Sequence, residues 1–202
     1  MRVFFIRHGM TAGNKARRYL GRSDEPLSEE GMEKILEYKN KYGYPEADVL
    51  FSSPLVRAKK TLELLYPGKS YEIVDEMIEL DFGDFEGKTY DELASDPIYC
   101  EWLESNGTLT FPNGESMDIM KKRCSKAFLE IMNSDRIKEL EKNDPDASVG
   151  FVVHGGTIMS VMSSLAEPRL DYFDYSVKNG NGYIGEYHDG IIGNIEKLIS
   201  EE

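Results

Sequence analysis

Two short apolar runs in this chain end in a histidine with glycine behind it. Val3-Phe4-Phe5-Ile6 leads into Arg7-His8-Gly9, and Phe151-Val152-Val153 leads into His154-Gly155-Gly156. The chain has three histidines, and two of them fall in this pattern. A continuous apolar run of this kind reads as a buried parallel strand. Ligands in open α/β sheets bind just beyond the carboxyl ends of such strands. Arg7, His8 and His154 are therefore expected where such a fold keeps its chemistry. Arg57 joins them, in the first turn of the helix that follows the apolar run Val49-Leu50-Phe51-Ser52. Glu79 opens an irregular stretch farther along.

Two guanidinium and two imidazole groups aimed at one hollow make a site for a tetrahedral dianion. The planar fork of arginine pairs with phosphate oxygens in bidentate fashion. Glycine after each histidine lets backbone approach the anion, and the helix start near Thr157 adds amide N–H groups and a positive dipole end. A neutral imidazole can attack phosphorus and carry the phosphoryl group. His8 is the better candidate nucleophile, on the first strand beside Arg7. That role needs Nδ1–H donated to a carbonyl and Nε2 free. A protonated His154 would stabilise equatorial charge in the transition state. Removing one such donor costs about two to three orders of magnitude in rate. Glu79 would hold the proton for the leaving oxygen, with anionic phosphate or burial keeping its carboxyl protonated. This chemistry needs no metal, and the sequence shows no His/Asp cluster for one.

The elements that must position these groups follow from the pattern of the chain. Residues 2–6 form the first strand. Residues 9–26 form a loop in which Lys15, Arg17, Arg18 and Arg22 precede Asp24. This is either a solvated charge run or a contact, through Arg18 and then Arg22, for a second anionic group on a substrate. Ser28 caps a helix to Tyr42, with Glu29 and Glu30 suiting its positive end and Met32, Ile35 and Leu36 on its inner face. Ser53-Pro54 after the second strand predicts a helix start, with Leu55, Ala58, Leu62 and Leu65 facing inward. Tyr71 to Val74 is a third strand. From about 79 to 115, Gly83, Gly87, Pro97, Gly107 and Pro112 break the pattern. This stretch reads as a helical insertion roofing the sheet, its helices lying between Tyr90 and Leu103. Trp102 and the insertion's tyrosines read as packing more than as ligand contacts. Ser116 caps a helix whose Met117, Met120, Cys124, Ala127, Phe128 and Ile131 recur at helical spacing, its methionines as core. A fourth strand at 150–153 and a helix from Thr157 to Ala166 follow. Asp189-Gly190 between two apolar runs is a tight hairpin, and its edge could pair with a second copy in a homodimer. His188, beside that turn, is plain surface. Strands alternating with helices predict an α/β fold with a mostly parallel sheet.

Composition bounds the remaining possibilities. A chain of 202 residues fits one domain, here 1–202 with its insertion. The net charge of −13 argues against nucleic acid as the main partner. It leaves room for a small anion held in a local basic pocket. Cys100 and Cys124 are not in a metal-ligand spacing and read as free thiols in a reducing cytoplasm. No apolar stretch approaches the roughly 20 residues that span a bilayer. The core strand begins at residue 2, so no signal peptide is expected, and the expected compartment is the cytoplasm.

At these residues the chain resembles the histidine phosphatase superfamily, also called the phosphoglycerate mutase-like family. Arg7-His8-Gly9-Met10-Thr11 is similar to its R-H-G-x-T/S signature, and Asn14 matches a phosphate-pocket asparagine. Arg18-Tyr19-Leu20-Gly21 is similar to an R-F-x-G segment, and Ser52 to Ala58 to an S-S-x-L-x-R-A block with Arg57 as the second arginine. Glu79 to Gly87 resembles an E-x-x-x-G-x-W/F-E-G block with Glu79 as proton donor. Val153-His154-Gly155 resembles the second histidine motif, and Gly114-Glu115-Ser116 the G-E-S opening of a helix near the pocket. The blocks run from residue 4 to 157 in the family's order. The resemblance implies a three-layer α/β/α sandwich and a metal-free, cofactor-free phosphatase forming phosphohistidine on His8. It implies Thr11 and Asn14 as phosphate ligands, with Arg18, Gly21 and Gly155 in the phosphate- and substrate-binding set. Met10 departs from the Glu or Gln of many relatives and, at the pocket border, would bear on substrate choice.

The expected substrate is a small phosphomonoester. α-Ribazole phosphate comes first among the candidates, for chain length and the Phe-Gly-Asp-Phe-Glu block. Phosphoserine, sugar phosphates and fructose 2,6-bisphosphate follow, with residues 86–115 choosing. The alternative is a phosphoglycerate mutase using a bisphosphate cofactor, though dedicated mutases carry a longer insertion. An inactive binding module on the same fold is a third reading. Such modules lose a core histidine or arginine, and none is missing here.

Overall fold

Successive residues of the first strand are apolar on both sides, a pattern that only a sheet covered on two faces can bury. The computed structural model describes residues 1–105 and 107–200, and in it both faces are covered. In chain order the elements are β1 (Arg2–Arg7), α1 (Ala12–Lys15), α2 (Glu29–Tyr42), β2 (Val49–Ser52) and α3 (Val56–Leu65). Then come β3 (Glu72–Ile73), α4 (Tyr90–Leu93), α5 (Pro97–Glu104), α6 (Met117–Met132) and α7 (Asp135–Asn143). The chain continues with β4 (Ser148–Val153), α8 (Gly155–Leu165), β5 (Gly182–His188) and β6 (Ile191–Lys197). The sheet has the order β3-β2-β4-β1-β5-β6. Its first four strands are parallel, and the hairpin β5–β6 adds two antiparallel ones. Ile35 of α2 and Leu62 and Leu65 of α3 pack on Phe4, Ile6, Leu50 and Val152. Phe128 of α6 and Ile158 and Val161 of α8 pack on Val3, Phe5, Phe51 and Phe151. The result is the expected three-layer α/β/α sandwich.

Register does the positioning. Arg7 pairs with Val153 and Ser52 with Val152, so β1, β4 and β2 end at the same level. His8 and His154 therefore leave neighbouring central strands side by side. The His8 amide still donates to the Val153 carbonyl at 2.9 Å. Beneath this edge, Phe5, Phe151 and Phe51 stack across three strands, with ring centroids 5.2 Å apart at each step. On the other face Gly150 makes room for the Phe4 ring, which a Cβ there would meet at 2.3 Å.

Local chemistry sets the helix ends. The Ser28 hydroxyl accepts from the Gly31 amide and starts α2. The buried stripe of α2 runs through Gly31, Ile35 and Tyr38. Leu36, expected inside, is 41% exposed. The stripe is centred between Gly31, Ile35 and Tyr38, and Leu36, about 100° round from Ile35 on the side away from Tyr38, falls beyond its edge. Helix α3 starts two residues later than Ser53-Pro54 implies, with Leu55 as its N-cap. The third strand is only Glu72–Ile73, both exposed, a short edge of the kind that resists pairing with other chains. Helix α7 gives little apolar signal in the sequence, because it is charged along its length and buries only Ile137. The insertion is helical as expected. Thr89 and Glu92 form a capping box on α4, and Asp96 with Pro97 starts α5. Its Phe85, Tyr99 and Phe111 belong to the same core as the sheet. Among the described residues no helix is long and apolar enough to cross a membrane.

The ring stack carries a stability expectation. Phe151 is fully buried at its centre. Phe151→Ala is expected to lower unfolding free energy by about 3–5 kcal/mol, read from the urea midpoint at constant slope. A loss below about 1 kcal/mol would show that the stack is not what holds the strand ends in register.

Candidate active site

His8 lies one residue beyond β1, buried to 3% exposure. Its Nδ1 is 2.7 Å from the Gly9 carbonyl. A carbonyl only accepts, so the proton is on Nδ1 and the lone pair is on Nε2. Burial first, then the charges of Arg57 and Arg7, hold the His8 pKa well below the ordinary histidine value, against a smaller upward pull from the Gly9 bond. The ring is neutral at physiological pH.

The arginines are fixed by carbonyls. Arg57 on α3 is fully buried and donates from Nη1 to Ser23 and from Nη2 to Gly21, both at 2.6 Å. Gly21 has φ +42°, and a Cβ on it would lie 2.0 Å from the Glu86 carboxylate. Only glycine can shape the loop so that this carbonyl meets Arg57. Arg7 donates from Nη1 to the Val177 carbonyl at 2.7 Å. The Nε of each arginine, however, has no partner.

His154 lies behind the cavity wall, its ring centroid 5.1 Å from that of His8. Its Nε2 meets the Ser53 hydroxyl at 2.6 Å, and its buried Nδ1 has no partner. Burial first, then Arg57, His8 and Arg7, hold its pKa well below the ordinary histidine value. The charged His154 expected from the sequence is thus not the form this structure favours. Ser53 serves this ring instead of capping α3. Among the described residues four buried side-chain polar atoms lack a partner, and three of them are Arg7 Nε, Arg57 Nε and His154 Nδ1. An unmatched buried donor costs about 1–3 kcal/mol. An anion with several acceptor oxygens would satisfy the two arginine Nε–H donors, and His154 Nδ1 in the tautomer or charge state that puts a proton there.

Glu79 lines the same cavity as Arg7, His8 and Arg57. Its Oε1 accepts from the Leu80 amide at 2.9 Å and its Oε2 from the Gly156 amide at 3.1 Å. A Cβ on Gly156 would sit 2.2 Å from Glu79 Oε1, so this helix start admits no side chain. Arg123 on α6 fixes the backbone around Glu79. It donates to the carbonyls of Ile78 at 2.8 Å and Glu79 at 3.1 Å. Glu115 holds Arg123 from Oε2 at 3.0 Å and takes the Asp81 amide on Oε1 at 3.1 Å.

The remaining candidates divide. Asn14, Arg18, Gly21 and Gly155 line the cavity, which measures about 330 Å³. Thr11 does not. It is fully buried, and its hydroxyl accepts from the Asn14 amide at 3.1 Å as the cap of α1, while Asn14 Oδ1 accepts from the Thr11 amide at 3.3 Å. The first of these bonds uses the Thr11 hydroxyl as an acceptor and leaves its O–H to donate. Met10 lines a separate groove with Glu30, Gly31 and Lys34, away from the pocket border where it was expected. Met120 is core, but Met117 and Trp102 are on the cavity wall. Tyr172, Phe173 and Ser176 join them there, and Asn179 braces Asn14 Oδ1 at 3.1 Å. These four come from a stretch with no helical or strand period, so only the fold reveals them. Arg123 had a faint signal, lying eight residues after the Glu115 of the G-E-S motif.

The two neutral histidines set a pH window. In the unfolded chain they titrate near 6.5, and in the fold well below it. Below about pH 6.5 the unfolded state binds more protons, so stability falls as pH falls. The urea midpoint is expected to drop between about pH 6.5 and 5, above the range where carboxylates dominate, and to drop less in His8→Asn/His154→Asn. An identical slope in the double variant would show that these rings are not buried neutral.

Comparison with known proteins places the chain in a family. The model of the histidine phosphatase superfamily, branch 1, matches residues 3–192. Phosphoserine phosphatase 1 of Hydrogenobacter thermophilus is 29% identical over 177 residues, which is 86% of this chain and 80% of that protein. The crystal structure of a phosphoglycerate mutase from Thermus thermophilus superposes with TM-score 0.72 at 27% identity, covering 100% of both chains. The alpha-ribazole phosphatase of Shigella flexneri superposes with TM-score 0.78 at 22% identity, covering 95% of this chain and 93% of its own, a likeness of fold. With a model match over nearly its whole length and the arginine–histidine cluster in place, this chain belongs to branch 1 of the histidine phosphatase superfamily.

Proposed function

We propose that the chain is a phosphatase that hydrolyses a small phosphomonoester through a phosphohistidine on His8. One observation carries the reading: the His8 proton is held on Nδ1 by Gly9, which leaves a lone pair on Nε2 of a neutral ring between two guanidinium groups. Arg7 Nε, Arg57 Nε and His154 Nδ1 donate to the phosphoryl oxygens, with Asn14 and Gly155 at the wall beside them. The dianion replaces the solvation these donors lack and favours protonation of His154. His8 Nε2 attacks phosphorus, the P–O ester bond breaks, and Glu79 gives its proton to the leaving oxygen. Water then attacks phosphorus while Glu79 takes its proton, the phosphorus–nitrogen bond to His8 breaks, and inorganic phosphate leaves with His8 restored. No step in this scheme passes through a metal or a cofactor. Free Cys100 and Cys124 fit the reducing cytoplasm. The candidate esters are α-ribazole phosphate, phosphoserine and other small metabolite phosphates.

The Thermus thermophilus likeness favours a second reading, a mutase that returns the phosphoryl group to the same substrate from a bisphosphate cofactor. The catalytic residues are shared, so product analysis separates the two. With 3-phosphoglycerate and a trace of 2,3-bisphosphoglycerate, isomer exchange without phosphate release would establish the mutase. His8→Ala is expected to abolish phosphate release and the trapped phosphohistidine. Near-normal rates in that variant would overturn the nucleophile assignment.

Arg123 is a positioning residue in this scheme, because it fixes the backbone that aims Glu79. Its loss matters only where the leaving oxygen needs a proton. Arg123→Met is expected to lower kcat/KM for an alkyl phosphate by about 10²-fold, as a misplacement of about 1 Å does. p-Nitrophenyl phosphate, whose leaving group departs as an anion, is expected to lose far less. Equal losses on both esters would mean that Arg123 supports the fold and not the proton transfer.

A further inference from the structure

Beyond the catalytic groups, the cavity wall is apolar and aromatic. Phe82, Trp102, Phe111, Met117, Met159 and Phe173 line it. Trp102 is held in place, its ring 4.6 Å from that of Phe111 and its Nε1 donating to the Leu109 carbonyl at 3.1 Å. Tyr99 stacks on Trp102 at 6.2 Å. Phe173 is 64% exposed although it lines the cavity, so apolar surface stands open at the mouth.

The cations near this wall are already matched. Arg18 bonds the Gly87 carbonyl and lies 3.6 Å from the Glu92 carboxylate. Arg22 lies 3.3 Å from Asp81 and 3.5 Å from Glu115. Lys15 pairs with Glu30, and among the described residues no lysine lines the cavity. A second phosphate or a carboxylate on the substrate would therefore meet apolar side chains, or compete with Glu92 for Arg18. Removing an anion from water without a partner is strongly unfavourable. The volume of about 330 Å³ accommodates one phosphate and a body of one or two rings.

Resting on the phosphatase reading, we infer that the substrate class is a phosphomonoester with a single phosphate on an uncharged, planar aromatic body. Trp102, Phe111 and Phe173 bind that body, and the acids of the insertion exclude esters with a second anionic group. The discriminating probes share an alkyl leaving group, so ring binding is not confused with leaving-group chemistry. They are 2-(2-naphthyl)ethyl phosphate, ethyl phosphate, phosphoserine and 3-phosphoglycerate, compared by kcat/KM for phosphate release.

The naphthyl ester is expected to exceed ethyl phosphate by about 10- to 100-fold, the worth of burying one large apolar group. Phosphoserine and 3-phosphoglycerate are expected to fall at or below ethyl phosphate. Phe173→Ser, at an exposed position, is expected to cut the naphthyl-to-ethyl ratio several-fold. Glu92→Gln, which frees Arg18, is expected to raise 3-phosphoglycerate relative to ethyl phosphate. Phosphoserine or 3-phosphoglycerate equal to or better than the naphthyl ester would overturn the substrate class and leave the phosphatase reading standing. No release from any ester, with no phosphohistidine trapped, would overturn the phosphatase reading and this inference with it.

Discussion

The structure depends on burying two guanidinium groups around a neutral imidazole. Burial lowers the pKa of both Arg7 and Arg57, and Glu79 is the leading charge that pulls each back up. Charge of this density is tolerated in a core only where hydrogen bonds and opposite charge compensate lost hydration. Backbone carbonyls do most of that work here. Ser23, Gly21 and Val177 take the outer nitrogens, each from a segment without regular structure. The loop after β1 and the stretch before β5 are thus shaped by the arginines they must solvate. What those carbonyls leave unmatched is the inner edge of each guanidinium, and that is where the proposed anion would sit.

The same burial selects the chemistry. An imidazole buried among cations gives up its proton, and a neutral ring is the form that can act as nucleophile. The Gly9 carbonyl then decides which nitrogen keeps the remaining hydrogen. Both effects require the ring at a strand end rather than on a mobile loop. The register of β1 against β4, and of β4 against β2, fixes that level to within one residue. A slip by one residue would turn each side chain to the other face and separate the two rings. The stacked phenylalanines below the site give that register its apolar anchor.

Much of this was legible in the sequence, for physical reasons. Buried strands are short apolar runs, and polar residues at their ends stand out by contrast, as Arg7, His8 and His154 do. Ser28 and Ser116 announce helix starts because a hydroxyl cap is a local interaction. Thr11 is a local cap too, and a motif cannot say whether such a hydroxyl also faces a ligand. Ser53 misled in reverse, looking like a cap and serving a histidine 101 positions away. Arg123, Tyr172, Phe173 and Asn179 reach the site only through tertiary packing. Leu36 failed because the buried stripe of its helix is narrow, and the sequence does not show on which side of Ile35 it continues.

Charge presents the remaining problem, because on the proposed reading a chain of net −13 admits a dianion. Long-range attraction cannot be the means, since the field outside repels phosphate and is screened beyond about 8–10 Å at ordinary salt. The acids of the insertion add to this, as Glu92, Asp81 and Glu115 occupy the loop cations nearest the mouth. On the proposed reading capture rests on short-range donors, the unmatched Nε groups of Arg7 and Arg57 and, once it is protonated, His154. Such donors act only on a phosphate that has shed its water inside the cavity. An apolar body on the ester lowers the cost of that entry by covering Trp102 and Phe173 as it arrives. The acidic surface and the aromatic wall then work as one filter. In the proposed substrate class, a compact, highly charged phosphate would be turned away outside, whereas an ester with one phosphate on a ring would be drawn in by the ring and held by the phosphate.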